Sequence, residues 1–148
     1  MTHGFDTSFL VAHEVACHPD HAGTRARLAG LRAAGDRFGL TSQVLTEFIH
    51  VVTDAKRFTA PLTIEQAIDR SRAWWDSPEV EHIAPDDGSV KWLLDSMTRH
   101  HLGRKRVLDT MLAATYRSAK ISSILTLNSA DFSVFGESTC LGALAMSP

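Results

Sequence analysis

The chain has 148 residues, of which 44% are hydrophobic and 22% are charged, and its net charge is −2. This length predicts a single domain over residues 1–148 with a full hydrophobic core, and the slightly acidic balance argues against a general nucleic-acid coat, which would be strongly basic. No apolar run has membrane-spanning length, and no basic segment followed by an apolar stretch opens the chain, so we expect a cytoplasmic protein.

Short apolar segments alternate with helical segments along the chain. The first half predicts a strand ending at residue 6, helices over 7–16 and 21–37, a strand over 38–42, and a helix over 42–52. The second half predicts a helix over 63–75, an edge strand over 80–83, helices over 86–97 and 106–119, a strand over 123–127, and a last strand within 140–146. Because helices separate the strands, the pattern indicates an α/β fold with a central, mainly parallel sheet.

Polar residues with a preference for helix N-caps precede several of the predicted helices. Ser, Thr and Asp cap a helix because a side-chain oxygen accepts a hydrogen bond from a free backbone N–H of the first turn. The predicted caps are Thr7 or Ser8, Ser42, Thr63, and Asp86 or Asp87.

Two acidic residues lie inside apolar helical segments, Glu47 in SQVLTEFIHVV and Asp109 in RVLDTMLAATY. Neither segment places a basic residue on the face of its acid, so we expect no ion-pair partner for either carboxylate. Because desolvation of an unpaired charge costs more free energy than packing returns, buried carboxylates need a shared partner. A hard divalent cation held through oxygen ligands is the simplest one.

Two further acids, Asp6 and Asp131, follow predicted strands, while Glu47 and Asp109 lie near the starts of helices. In an open α/β sheet the functional crevice lies beyond the carboxyl ends of the strands, so the four acids are expected to converge at one edge of the sheet. For Asp6 or Asp131 taken alone, a plain helix cap is the better interpretation. Glu47 and Asp109 stand at no N-cap and are less easily explained in that way.

Four segments, in their order and spacing, resemble the PIN-domain nucleases and most closely the VapC-type toxins of bacterial toxin–antitoxin pairs. They are FDTSFLV (residues 5–11), LTEF (45–48), VLDTMLAAT (107–115) and LTLNSADF (125–132). The resemblance spans nearly the whole chain and implies a three-layer α/β/α PIN-like fold. It also implies an endoribonuclease that depends on Mg²⁺ or Mn²⁺, a cognate antitoxin that blocks the pocket, and a homodimer.

The same resemblance implies roles for individual residues. The implied catalytic and metal-binding residues are Asp6, Glu47, Asp109 and Asp131, and the implied supporting residues are Thr7, Thr126 and Asn128. Leu127 departs from the family pattern, because a basic residue often stands at this position. The departure affects a substrate contact rather than the metal site.

A basic run, Arg104, Lys105 and Arg106, precedes the helix of Asp109. Cations at the amino end of a helix meet an unfavourable dipole, so a gain elsewhere would explain them. Contacts with RNA phosphates beside the metal are one such gain. A solvated basic loop is the alternative.

Other functions are less well supported by the sequence. His13, Cys17, His18 and His21 resemble zinc ligands, but their spacing fits no closed tetrahedral site. A small-molecule phosphatase would need an acid at the position of Ser8. A di-iron helical bundle would need two ExxH pairs on helices, but the second pair of this chain lies in a strand-like segment. A PIN-like module that binds RNA or protein without cleavage is a further alternative.

Cys17 and Cys140 form no CxxC motif, and reduced thiols are expected, although a disulfide between them is an open alternative.

Overall fold

The computed structural model describes residues 1–136 and 138–145, in which short strands alternate with helices. The strands are β1 (Thr2–Phe5), β2 (Arg37–Thr41), β3 (Val80–Ile83), β4 (Ser123–Leu125) and β5 (Thr139–Leu141). The helices are α1 (Thr7–Glu14), α2 (His21–Ala33), α3 (Ser42–Val52), α4 (Ile64–Trp75), α5 (Asp87–Arg99), α6 (Val107–Ser118) and α7 (Ala130–Ser133), and a 3₁₀ turn over Arg104–Arg106 precedes α6. No helix of the described residues is both long and apolar enough to cross a membrane.

The strands form one sheet in the order β3-β2-β1-β4-β5, and every neighbouring pair is parallel. The central strand β1 pairs with β2 on one side and with β4 on the other, so Gly4 lies beside both Gly39 and Ile124. The carboxyl ends of β1, β2 and β4 therefore meet at one edge of the sheet. The predicted parallel α/β sheet is confirmed.

Alternation along β1 shows how helices cover both faces of the sheet. The ring of Phe5 lies 6.2 Å from that of Phe9 in α1 and 5.1 Å from that of Trp74 in α4. Gly4 faces the other way, where an added Cβ would stand 2.5 Å from the ring of Tyr116 in α6. Successive strand residues point to opposite faces, so α1 and α4 cover one face and α6 covers the other. This is the three-layer α/β/α arrangement expected from the sequence.

Tyr116 ties the two central strands to the helical layer. Its ring is fully buried, and its hydroxyl donates a hydrogen bond to the backbone oxygen of Phe5 (2.6 Å) and lies 3.2 Å from that of Gly39. A larger residue than glycine at position 4 would displace this ring. Tyr116 therefore holds the last residue of β1 in place, and the next residue along the chain is Asp6.

Two of the predicted N-caps are confirmed. Thr63 caps α4 in a capping box with Gln66, and Asp86 caps α5 by accepting from the backbone N–H of Ser89. The other two predictions are wrong by one residue or two. Thr41 rather than Ser42 caps α3, because its Oγ1 is the atom placed to accept from the N–H of Val44.

The first helix begins without a side-chain cap. Asp6 rather than Thr7 or Ser8 occupies its N-cap position, and the Asp6 carboxylate makes no capping hydrogen bond. The interpretation of Asp6 as a plain cap is therefore wrong. Its carboxylate is free for another role, and so are the hydroxyls of Thr7 and Ser8.

The last strands differ from their predicted ranges. β4 ends at Leu125 rather than at residue 127, because Thr126 and Leu127 already turn towards other partners. β5 covers Thr139–Leu141, so two of its three residues fall within the predicted range 140–146. Residue 146 of that range lies outside the described residues.

Candidate functional site

Asp6 is held rigidly at the carboxyl end of β1. Its backbone N–H donates to the oxygen of Leu125 (2.9 Å), which binds the ends of β1 and β4 together. Its Oδ2 accepts from the hydroxyls of Ser8 (2.5 Å) and Thr126 (2.7 Å), and the residue is buried. Two hydroxyl donors, one in α1 and one directly after β4, therefore fix this carboxylate in one orientation.

The hydroxyl of Ser8 also joins this site to the loop after β4. Ser8 Oγ accepts from the backbone N–H of Leu127 at 3.0 Å, and the N–H of Asn128 donates to Thr126 Oγ1 at 2.9 Å. The sequence had indicated Ser8 only as a helix cap. Its position two residues after a strand-end acid is the one signal that would have pointed to this role.

Glu47 lies on the second turn of α3 and faces the end of β1. Its carboxylate accepts from Thr7 Oγ1 (2.8 Å) and from Gln43 Nε2 (3.2 Å). Gln43 Nε2 also lies 3.0 Å from the backbone oxygen of Leu108, so it joins α3 to the start of α6. The sequence had not identified Gln43, although it precedes Glu47 by four residues and therefore shares its helix face.

Asp109 and Asp131 share one cation, Arg106. The Nε of Arg106 lies 3.7 Å from Asp109 Oδ2 and 3.6 Å from Asp131 Oδ1, and its Nη2 donates to the backbone oxygen of Asp131. The expectation that Asp109 has no basic partner is therefore wrong. Arg106 stands three residues before Asp109, and the turn into α6 brings the two side chains together.

The other three acids lie close enough to Asp109 to affect its pKa. Burial and the charges of Asp131 and Asp6 raise the pKa of Asp109 to about 6, with Glu47 contributing in the same direction and Arg106 opposing them. An ordinary aspartate carboxyl in water has a pKa of 3.8. The charged form of Asp109 is thus destabilised, and an added cation would restore it.

Three of the acids open into one cavity of about 950 Å³. Asp6, Glu47 and Asp109 line it, together with Thr7 and Asn128. Asp131 is not one of the lining residues and contacts the site through Arg106 instead. Asp6 is buried, whereas the other three acids are partly exposed.

The arrangement provides oxygen donors suited to a hard cation but no finished coordination sphere. Among residues 1–136 and 138–145, no three Asp, Glu, His or Cys side chains stand as a group that could hold a metal ion. The donor chemistry and the raised pKa of Asp109 fit a divalent cation. The carboxylates would have to draw closer together around it.

The candidate RNA contacts before α6 divide into two kinds. Arg104 and Lys105 are exposed, as a phosphate contact requires. Arg106 instead turns inward, and its Nε is buried without a hydrogen-bond partner in the described part of the chain. The favourable contact that offsets the helix dipole at Arg106 is therefore the pair of acids.

The four residues that resembled zinc ligands do not come together. His13 is buried beside Trp74 and bonds to Glu14, and His21 bonds to the backbone oxygen of Ala12. Cys17 and His18 line the large cavity. Both cysteines of the chain are free thiols.

Neither a scan of protein-family models nor a search of curated proteins gave a match. Solved structures are similar along the whole chain. The Sarcin-Ricin loop cleaving toxin VapC20 of Mycobacterium tuberculosis has a TM-score of 0.67 at 21% identity, covering 93% of this chain and 96% of its own. VapBC-1 from nontypeable Haemophilus influenzae has a TM-score of 0.66 at 14% identity, with 96% and 98% covered.

A third structure, VapBC2 from Rickettsia felis bound to a DNA fragment from their promoter, has a TM-score of 0.66 at 17% identity and covers 96% of this chain and 98% of its own. At these identities the likeness establishes the fold. The chain has the fold of the VapC-type toxins, and the predicted PIN-like architecture is confirmed.

Proposed function

We propose that this chain is a divalent-metal-dependent endoribonuclease and the toxin of a VapBC-type toxin–antitoxin pair. The observation that carries the proposal is the convergence of Asp6, Glu47 and Asp109 on one cavity, where the pKa of Asp109 is raised to about 6. Perturbed acids in a cleft are typical of catalytic sites. The similar fold of a toxin that cleaves the Sarcin-Ricin loop supports RNA as the substrate.

The cofactor that fits the donor set is Mg²⁺ or Mn²⁺, held by Asp6, Glu47 and Asp109, with Asp131 completing the acidic environment. When bound, such an ion makes a water nucleophilic near neutral pH and stabilises the anionic charge that develops on the phosphate. Without it, three carboxylates would repel the RNA backbone. The metal would therefore favour RNA binding as well as supply the chemistry.

The neighbouring residues of the chain position the carboxylates. Ser8 and Thr126 orient Asp6, while Thr7 and Gln43 orient Glu47 through the bonds described above. Each carboxylate keeps one oxygen or one lone pair for a further ligand, because every donor uses only part of its acceptor capacity. The chain thus places its acids before a substrate arrives.

Arg106 has a different role in this proposal. Its guanidinium offsets the repulsion between Asp109 and Asp131, so the acidic cluster can fold without a divalent ion. The same positive charge opposes the entry of a metal. Arg106 is therefore a counter-ion of the site rather than a contact for RNA.

The proposed partners are a small antitoxin protein and a second copy of the chain. Apolar side chains exposed on α5 and at the start of α6 support a protein-binding surface, since Val90, Leu94 and Leu108 have exposed fractions of 44%, 61% and 56%. Structures of similar fold are VapBC complexes. On this basis, an antitoxin is included among the proposed partners of this chain.

RNA cleavage by the purified protein tests the function. We expect cleavage with millimolar Mg²⁺ or Mn²⁺ and none with EDTA, and mapping of fragment ends would identify the cleavage position. Asp109→Asn should keep its circular dichroism spectrum and lose cleavage, because the amide removes the ligand charge and keeps the shape. Asp69→Asn, at an exposed position in α4, is the matched control and should cleave as fast as the parent.

A second candidate function is an RNA- or protein-binding module that does not cleave. The lack of a finished metal group among the described residues favours it. RNA that is bound but remains intact at every divalent-ion concentration would establish this alternative. A folded Asp109→Asn variant that cleaves like the parent would rule out the proposed mechanism.

A further inference from the structure

The cavity is larger than a metal ion and a phosphate require. Its volume of about 950 Å³ lies near the upper end of the range of ligand pockets. Several of its lining residues have no role in the proposed mechanism.

Three of these lining residues have side chains suited to nucleic acid. They are His50, Arg57 and Phe58, which together form the outer wall of the cavity. His50 follows Glu47 by three residues in α3, so these two residues lie about one helical turn apart, roughly 5 Å along the axis. A nucleotide bound at the outer wall would therefore adjoin the phosphate at the acids.

The turn after α3 holds Arg57 and Phe58 in defined positions. The backbone N–H groups of both residues donate to the oxygen of Asp54, at 3.0 Å and 3.2 Å. Phe58 is partly buried and packs against the hydrophobic core, so one part of its ring is anchored while another faces the cavity. Such a ring can stack on a base without first being ordered.

Acidic and basic side chains both line the cavity. Asp6, Glu47 and Asp109 are the acids of the proposed metal site, whereas Arg57 and His50 are basic groups of the outer wall. Arg57 is 61% exposed and its Nε lies 3.6 Å from Asp54 Oδ2, so the guanidinium is only loosely paired. His18 and Asp20 also line the cavity, with 3.9 Å between His18 Nδ1 and an Asp20 carboxylate oxygen.

We propose that the outer wall is a nucleotide-binding subsite, in which Phe58 stacks on an unpaired base while Arg57 and His50 contact the adjoining phosphate. Aromatic stacking combined with basic side chains is the usual way in which proteins bind single strands. A base within a duplex is already stacked and cannot enter the cavity. This proposal rests on the proposed function, because it takes Asp6, Glu47 and Asp109 as the place of cleavage.

Binding of RNA by cleavage-deficient protein tests the subsite. Fluorescence anisotropy would measure the affinity of Asp109→Asn for a labelled random-sequence single-stranded RNA and for a duplex of the same length. Phe58→Leu, added to that background, should weaken single-strand binding on the order of ten-fold, because leucine keeps the core packing and lacks a stacking face. Phe58→Tyr should restore the affinity.

The charge contribution has its own test and control. Arg57→Gln should weaken single-strand binding several-fold and lower the slope of log affinity against log salt by about 0.7, the value for one phosphate contact on a single strand. The adjacent Lys56 is exposed and does not line the cavity, so Lys56→Gln should change the affinity less than about two-fold. Unchanged melting curves would show that the variants fold.

The outcomes separate the two proposals. Single-strand affinity that is unmoved by Phe58→Leu and Arg57→Gln overturns the subsite even if the parent cleaves RNA. Duplex RNA that binds as tightly as single-stranded RNA, or Asp109→Asn protein that binds neither, also overturns it. If the parent fails to cleave while both substitutions weaken binding, the subsite stands and the nuclease function fails.

Discussion

Two partly buried carboxylates of this chain, Glu14 and Asp109, have pKa values that are shifted in opposite directions. Burial would raise the pKa of Glu14, but hydrogen bonds from His13, Trp74 and Arg70 bring it down to about 2. The donor distances are 3.1 Å from His13 Nδ1, 2.8 Å from Trp74 Nε1 and 2.9 Å from Arg70 Nη1. Asp109 is surrounded mainly by other acids, and its pKa is raised to about 6.

The comparison shows that burial alone does not distinguish a functional acid from a structural one. Glu14 is satisfied within the chain and holds the end of α1 against α4 through Arg70 and Trp74. Asp109 has one cation, Arg106 at 3.7 Å, and several repelling neighbours. Asp109 is a candidate metal ligand because the positive charge near it does not balance the acids around it.

The largest expected difference between the two regions is in catalysis. Asp6→Asn, Glu47→Gln and Asp109→Asn should each reduce the cleavage rate by roughly 10²-fold or more, and the losses should not add, because the ligands act as a unit. Asp131→Asn should be milder, since Asp131 does not line the cavity. Glu14→Gln should cleave within about two-fold of the parent in single-turnover assays, and a large loss there would contradict the assignment of Glu14 to the scaffold.

In urea unfolding, the Glu14 variant should be affected more than the Asp109 variant. Glu14→Gln should lower the free energy of unfolding by about 2 kcal/mol, because charge-assisted hydrogen bonds to Trp74 and Arg70 are weakened in a site where the Glu14 side chain is only 16% exposed. Asp109→Asn should leave the metal-free stability unchanged or slightly higher, since it removes a repelling charge. Destabilisation by Asp109→Asn equal to that by Glu14→Gln would erase the contrast.

The free energy of unfolding should also depend on pH through both acids, with opposite signs. The pKa of Glu14 falls from 4.5 to about 2 on folding, so its contribution is complete above pH 4.5 and is lost as the pH drops towards 2. The pKa of Asp109 rises from 3.8 to about 6, so the metal-free protein should lose stability as the pH rises from about 4 to 6. Solvent screening limits this loss to about 1 kcal/mol.

Melting curves between pH 3 and 8, measured in EDTA, would check these signs. Asp109→Asn should remove the decline between pH 4 and 6 and leave the acid limb unchanged. With Mn²⁺ present the trend should invert, because the ion binds the deprotonated acids and its stabilisation fades below pH 6. A decline that persists in Asp109→Asn would show that another group causes it.

The smallest expected effect concerns Arg106. Arg106→Gln removes a cation from between Asp109 and Asp131, so Mn²⁺ affinity in calorimetry should rise several-fold while the metal-free melting temperature falls by a few degrees. Lys105→Gln is the neighbouring control and should change neither quantity measurably. Weaker Mn²⁺ binding in Arg106→Gln would mean that Arg106 organises the acids for the metal rather than competing with it.

Much of the fold could be predicted from local patterns. The caps at Thr63 and Asp86 and the strand 80–83 depend on residues within one turn or one strand, and they are found where they were expected. The errors lie at the bounds of β4 and β5, at the end of α2, which stops at Ala33 rather than at residue 37, and at the caps of α1 and α3. Just after β4, the hydroxyl of Thr126 donates to Asp6, which is 120 residues away and beyond the reach of any local pattern.

The site shows the same division. The positions of Asp6, Glu47 and Asp109 relative to their elements were predictable, because parallel strands end at one edge of a sheet and acids near strand ends must approach each other there. The roles of Ser8 and Gln43 were not, since both depend on which segments neighbour them. The ion pair of Arg106 with Asp131 spans 25 residues and needs the turn into α6 as well as the position of α7.

The sequence by itself determined the alternation of strands and helices and the edge of the sheet at which its unusual acids gather, because hydrophobic periodicity and strand direction are local properties. The tertiary structure decided the environment of each acid. The strand order β3-β2-β1-β4-β5 puts Thr126 beside Asp6, and the packing of α3 against α1 puts Thr7 beside Glu47. Distance and burial set the energy of a charge, and neither exists until the chain has folded.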